Sequence, residues 1–74
     1  MAVAPVGDQA AGPIDVNVAT AVELEELPGV GPATAAAIVT ERERSGPFLD
    51  ADDLDRVPGI GPAKLEALRG LVVT

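Results

Sequence analysis

Seven residues of this chain occur twice. Leu27-Pro28-Gly29-Val30-Gly31-Pro32-Ala33 returns thirty positions later as Val57-Pro58-Gly59-Ile60-Gly61-Pro62-Ala63, with five positions identical and two exchanging one aliphatic side chain for another. The match runs outward, pairing Leu24 with Leu54, Glu25 with Asp55, Ala37 with Ala67 and Ile38 with Leu68. Two copies are too few for a solenoid, so a closed pseudo-symmetric pair is expected. Within each copy, glycines at i and i+2 permit positive φ, and the aliphatic residue between them, Val30 or Ile60, is expected to plug into the core. The proline that follows suits the first position of a helix. Each unit therefore predicts a helix end, a tight glycine hairpin and a new helix start, whose free backbone N–H groups form a ready anion site.

A chain of 74 residues supports one small domain with a modest core. Much of its 47% hydrophobic content is alanine, and Phe48 is the only aromatic residue. Cys, His, Tyr and Trp are absent. That removes disulfides, thiolate metal sites, the usual general base and most stacking platforms. The net charge of −7 runs against the clustered positive charge on which phosphate binding draws. No apolar run reaches the length of a membrane span and no signal pattern opens the chain, so it is expected to be soluble.

Residues 1–13 lack any helical or strand period and are expected to form a flexible linker or tail, leaving 14–74 as the domain. Ile14 to Val18 alternates apolar and polar residues, an extended lead-in with no evident partner. Thr20 and Glu23 make a capping-box pattern that starts a helix over about Ala21 to Glu26. The first hairpin covers Pro28 to Pro32, and a second helix about Ala33 to Ser45, with Ala35, Ile38, Val39 and the stem of Arg42 inward. Ser45-Gly46-Pro47 ends it, and Phe48-Leu49 is expected to anchor the crossover in the core. Asp50 caps a third helix, about Ala51 to Arg56. The second hairpin covers Pro58 to Pro62, and a fourth helix about Ala63 to Gly70 buries Leu65 and Leu68, with Leu71 and Val72 packing beyond it. The expected fold class is all-α: four short helices in two pseudo-symmetric helix-hairpin-helix motifs, the (HhH)2 or SAM-like arrangement, with no sheet.

These residues resemble the tandem helix-hairpin-helix module. Asn17-Val18-Ala19-Thr20-Ala21, Glu23-Leu24, the first hairpin, Ala35 with Ile38, Gly46-Pro47-Phe48, Asp53-Leu54 and the second hairpin further resemble the C-terminal DNA-binding domain of ComEA-type competence receptors, over about Ile14 to Val73. The resemblance implies two hairpins side by side across the minor groove of double-stranded DNA, each holding one strand's phosphates through backbone N–H groups, with little sequence preference. The residues so implied are Gly29, Val30, Gly31, Ala33 and Thr34, and Gly59, Ile60, Gly61, Ala63 and Lys64. The resemblance also implies a DNA-uptake channel as partner. It places the full-length protein at a bacterial cell surface or periplasm, held by an N-terminal membrane anchor that these residues lack, so the expectation is a trimmed chain or a soluble relative. Hairpin carbonyls in related folds can hold a monovalent cation that bridges to phosphate. No other cofactor, no metal and no small-molecule substrate is expected.

Family hairpins often carry Lys or Arg at the helix start, whereas Ala33 and Thr34 bring no charge and Glu23, Glu25 and Glu26 crowd the first hairpin. Arg56 and Lys64 flank the second. The expectation is that the second hairpin carries more of the DNA affinity, with Arg56 and Lys64 adding charge. Lys64 does so against the macrodipole of its own helix start. Arg69 is expected to compensate a helix C-terminus, and Glu41-Arg42-Glu43-Arg44 to form a mixed-charge helix face.

The acidic run from Asp50 to Asp55 fails as a calcium loop, because Leu54, Asp55 and Gly61 fall where an oxygen ligand, glycine and Glu are needed. Without Cys, His or a base near the hairpin hydroxyls, the chain is expected to be no enzyme. Two alternatives stand beside DNA binding: a protein-interaction module of the same fold, which the acidic surface favours, and an accessory domain of a DNA repair enzyme.

Overall fold

In the computed structural model of the chain, which describes residues 13–74, the two copies of the repeat build closely related local structures. Before the first hairpin, Thr20 Oγ1 accepts from the Glu23 N–H (3.1 Å) while Glu23 Oε1 accepts from the Thr20 N–H (2.9 Å). This reciprocal cap starts helix α1, Ala21–Leu24. Thirty residues on, Asp50 Oδ1 accepts from the Asp53 N–H at 3.1 Å, and Asp53 Oδ2 accepts from the Leu49 N–H at 2.9 Å. That cap starts a 3₁₀ helix, Ala51–Arg56. The repeat thus extends to the caps, Thr20 with Asp50 and Glu23 with Asp53.

After each hairpin a proline opens a helix: α2 spans Pro32–Ser45 and α3 spans Pro62–Leu68, capped by Gly31 and Gly61. Both begin one residue earlier than the sequence suggests; α2 ends at Ser45 as expected, and α3 ends before Gly70. The architecture is all-α, two helix-hairpin-helix motifs, with one addition. The expected absence of any sheet is corrected: β1, Ile14–Asp15, lies parallel to β2, Val72–Val73, with Ile14 opposite Val72. The Ile14 N–H donates to Leu71 O (3.0 Å) and the Val16 N–H to Val73 O (3.1 Å). The lead-in does have a partner, at the other end of the chain.

The core repeats with the chain. Leu24 and Leu54, Leu27 and Val57, Val30 and Ile60, Ala35 and Leu65, and Ile38 and Leu68 are all buried. Val16, Ala19, Phe48 and Val72 complete the cluster outside that symmetry. Burial of such aliphatic side chains stabilises by about 1.5–3 kcal/mol each. Phe48 anchors the crossover as expected, but Leu49 is 83% exposed and Leu71 43% exposed. The Leu49 N–H donates to the Asp53 carboxylate and its carbonyl accepts from the Thr74 hydroxyl (3.3 Å), while its side chain faces water.

Asn17 ties the crossover to the chain's beginning. Its Oδ1 accepts from the Phe48 N–H at 2.7 Å, and its Nδ2 donates to Phe48 O at 3.0 Å and to Thr74 O at 3.4 Å. The buried Phe48 backbone is thereby satisfied in a segment with no secondary structure of its own. The expected tail over 1–13 lies outside the described residues except for Pro13, which is exposed and irregular. Among the described residues no helix is long and apolar enough to cross a membrane.

Candidate nucleic-acid interface

The two hairpins are built alike. The Val30 N–H donates to Leu27 O and the Ile60 N–H to Val57 O, each at 3.1 Å. Proline stands at the second position of each turn and a positive-φ glycine at the third, Gly29 at +78° and Gly59 at +98°. These are the requirements of a type II turn. Beyond it, the Ala35 N–H returns to Gly31 O and the Leu65 N–H to Gly61 O, each at 2.9 Å.

The N–H groups between those bonds are left over. Gly31, Ala33 and Thr34 have no backbone acceptor among the described residues, nor do Gly61, Ala63 and Lys64. Pro32 and Pro62 have no N–H to satisfy. Val30 and Ile60 are buried, 5% and 4% exposed, so their side chains set the shape of the loop and do not reach a ligand. The flanking Gly29, Gly31, Gly59 and Gly61 are exposed, as are Ala33 and Ala63, while Thr34 and Lys64 are half-buried.

Gly31 and Gly61 depart from expectation. Their φ angles are −94° and −95°, with ψ near 180°, which any residue can adopt. A Cβ on either would meet nothing within 4 Å. The fold therefore does not require glycine at these two positions. A ligand drawn close to the backbone would.

Each hairpin lies beside a side chain from the start of the other repeat's helix. A Cβ on Gly29 would sit 3.3 Å from Lys64 Cε, and one on Gly59 would sit 3.3 Å from Thr34 Oγ1. Thr34 and Lys64 are equivalent positions of the two copies, so the contacts are reciprocal.

The charges are distributed differently from what the sequence suggests. Arg56, expected beside the second hairpin's phosphate, is committed within the fold. Its Nε donates to Glu41 Oε2 (3.1 Å), one terminal nitrogen to Asp53 Oδ2 (2.8 Å) and the other to Gly46 O (2.6 Å). Its guanidinium also lies 4.5 Å from the centroid of the Phe48 ring. The planar fork ties α2, the crossover and the 3₁₀ helix together, a geometry open to Arg but not to Lys.

Arg69, which stands at the C-cap of α3 as expected, pairs with Asp52 and Glu66. Asp52 chiefly, with Glu66 behind it, raises its pKa still further. Arg42 buries its stem as expected and donates to Val16 O at 2.9 Å. Lys64 and Arg44 make no ion pair among the described residues. The roles of Glu41 and Asn17 are not legible in the sequence, since the partner of Glu41 lies 15 residues away and those of Asn17 on the crossover and at Thr74 lie 31 and 57 away.

Two caps, two glycine turns and two proline-started helices around one shared core define a tandem helix-hairpin-helix domain. The chain belongs to the helix-hairpin-helix motif family, whose model matches residues 9–73. A search among curated proteins found no match. Helix-hairpin-helix motifs are generally associated with binding double-stranded DNA without sequence specificity.

Proposed function

We propose that this chain binds double-stranded DNA through the backbone N–H groups of both hairpins, each hairpin holding phosphates of one strand. The observation that carries the proposal is the matched pair of unfilled N–H sets, each beside a glycine that the fold itself does not require. Phosphate contacts of this kind position a duplex without reading its bases. The contact residues are Gly29, Gly31, Ala33 and Thr34 with Gly59, Gly61, Ala63 and Lys64, while Val30 and Ile60 support the loops from beneath.

The resemblance to ComEA-type receptors makes DNA uptake the proposed use. A transport channel is then the onward partner, and the full-length protein sits at a bacterial cell surface or periplasm on an N-terminal anchor. The proposed role is binding, not catalysis, and needs no cofactor.

A fluorescence-anisotropy titration with a short duplex of arbitrary sequence, at two salt concentrations, tests the proposal. The expected result is binding that weakens with salt, with a slope reflecting about two to four phosphate contacts. Absence of binding at low salt would overturn it.

One observation favours a second reading, a protein-interaction module of the same fold. Arg42, Arg56 and Arg69 are all engaged by the protein's own carbonyls and carboxylates, on a chain of net charge −7. Such a surface repels a polyanion at long range. The same titration separates the two.

A further inference from the structure

The second repeat's Lys64 makes its contact on the first repeat's hairpin. Its side chain crosses to Gly29, where Cε would stand 3.3 Å from a Cβ, and its ammonium has no carboxylate partner among the described residues. A cation in the first turn of a helix opposes that helix's macrodipole, so the position gains nothing for α3 itself. Across the interface lies the hairpin that is poorest in positive charge and richest in acidic neighbours, with Glu25 and Glu26 exposed just before it. The reciprocal contact brings only the hydroxyl of Thr34 to Gly59, and Arg56 is fully engaged elsewhere.

Resting on the proposed DNA binding, we infer that the hairpins exchange their helix-start side chains: Lys64 supplies the counter-charge for the phosphate held at Gly29–Gly31, and Thr34 a neutral hydroxyl for the one held at Gly59–Gly61. The first hairpin then grips its strand more tightly, the reverse of the order the sequence suggests. Neither hairpin is a complete binding unit without the other repeat.

The test is a double-mutant cycle read by anisotropy with a short duplex. Lys64→Met keeps the apolar stem over Gly29 and removes only the charge. It weakens binding by about three- to five-fold and lowers the salt slope by about 1. Gly31→Ala and Gly61→Ala each place a methyl in open space at one hairpin's approach, so both variants fold, which thermal unfolding verifies.

Interacting sites fail additivity and distant ones do not. On the Gly31→Ala background Lys64→Met therefore costs less than about two-fold, and on the Gly61→Ala background its full effect. Equal losses on both backgrounds, or the reduced loss on Gly61→Ala, would overturn the exchange while leaving DNA binding intact. An unbound wild-type chain would instead overturn the DNA-binding proposal, and the exchange with it. A second measurement reads the geometry without DNA: in amide NMR spectra, Lys64→Met shifts the Gly29 resonance more than that of Gly59, and the opposite order would also refute the exchange.

Discussion

The hydroxyl of Thr34 occupies the space directly outside Gly59, 3.3 Å from where a Cβ on that glycine would stand. Gly59 is thus held to glycine twice over, by its φ of +98° and by a side chain from the other repeat. Gly59→Ala is expected to cost about 1–2 kcal/mol from the left-handed backbone alone, plus the crowding against Thr34. Thr34→Ala should restore only the crowding part. Urea denaturation of the two single variants and the double variant measures the coupling, and strictly additive losses would show that the two residues do not press on each other. Gly61→Ala, with open space around it, should change stability by less than about 0.5 kcal/mol.

Arg56 is predicted to matter for stability more than for binding. Arg56→Ala breaks three hydrogen bonds, two of them to carboxylates, and leaves Phe48 without its cation, and should destabilise by about 2–3 kcal/mol. Arg56→Lys should recover less than half of that, because an ammonium cannot span three acceptors on different elements. At a temperature where the variants are folded, their DNA affinity should stay within about two-fold of the parent's, since a guanidinium already held by Glu41, Asp53 and Gly46 O is not free to turn to a phosphate. A selective collapse of affinity in a fully folded Arg56→Lys protein would return Arg56 to the interface.

Asn17 offers a sharper test of the crossover. Asn17→Asp keeps the acceptor for the Phe48 N–H but turns a carboxylate oxygen on Phe48 O and Thr74 O, while Asn17→Ala leaves a buried N–H unpaired. Each is expected to cost about 2–3 kcal/mol, by facing acceptor with acceptor in Asp and by stranding a donor in Ala. Hydrogen exchange at the Phe48 amide should speed up strongly in the Ala variant and little in the Asp variant.

The cap of α1 supports the first hairpin from behind. Thr20→Ala should cost about 1 kcal/mol and shift Tm downward by about 4–8 °C for a domain of this size. Asp50→Ala should behave alike, because the two caps are repeats of one device. A loss confined to one of them would show that the two copies do not share the load equally.

Much of this architecture was legible because it is written twice: the hairpins, their buried plugs and the proline starts all follow from local residue types at fixed spacing. Contacts between residues distant in sequence were not. The pairing of β1 with β2 joins two-residue strands from opposite ends of the chain, too short to carry a period of their own. Leu49 was expected in the core on hydrophobicity, yet its backbone duties to Asp53 and Thr74 turn the side chain outward. Arg56 sits next to the second hairpin in sequence, but its fork finds Glu41, Asp53 and Gly46 O first. Lys64 follows the second hairpin in sequence, but its side chain lies beside Gly29 of the first, a placement that no spacing within one repeat can show.

The parallel pairing of β1 with β2 also has a mechanical side. Force applied at the two ends of the domain pulls Ile14 backward along one strand and Val73 forward along its neighbour, so the hydrogen bonds between them are loaded in shear, together, and not peeled apart in turn. A domain that grips a polymer while its own chain is under tension would resist extension at this seam first. The strength of the whole grip would then be set by two residues at each edge of the domain, outside both hairpins.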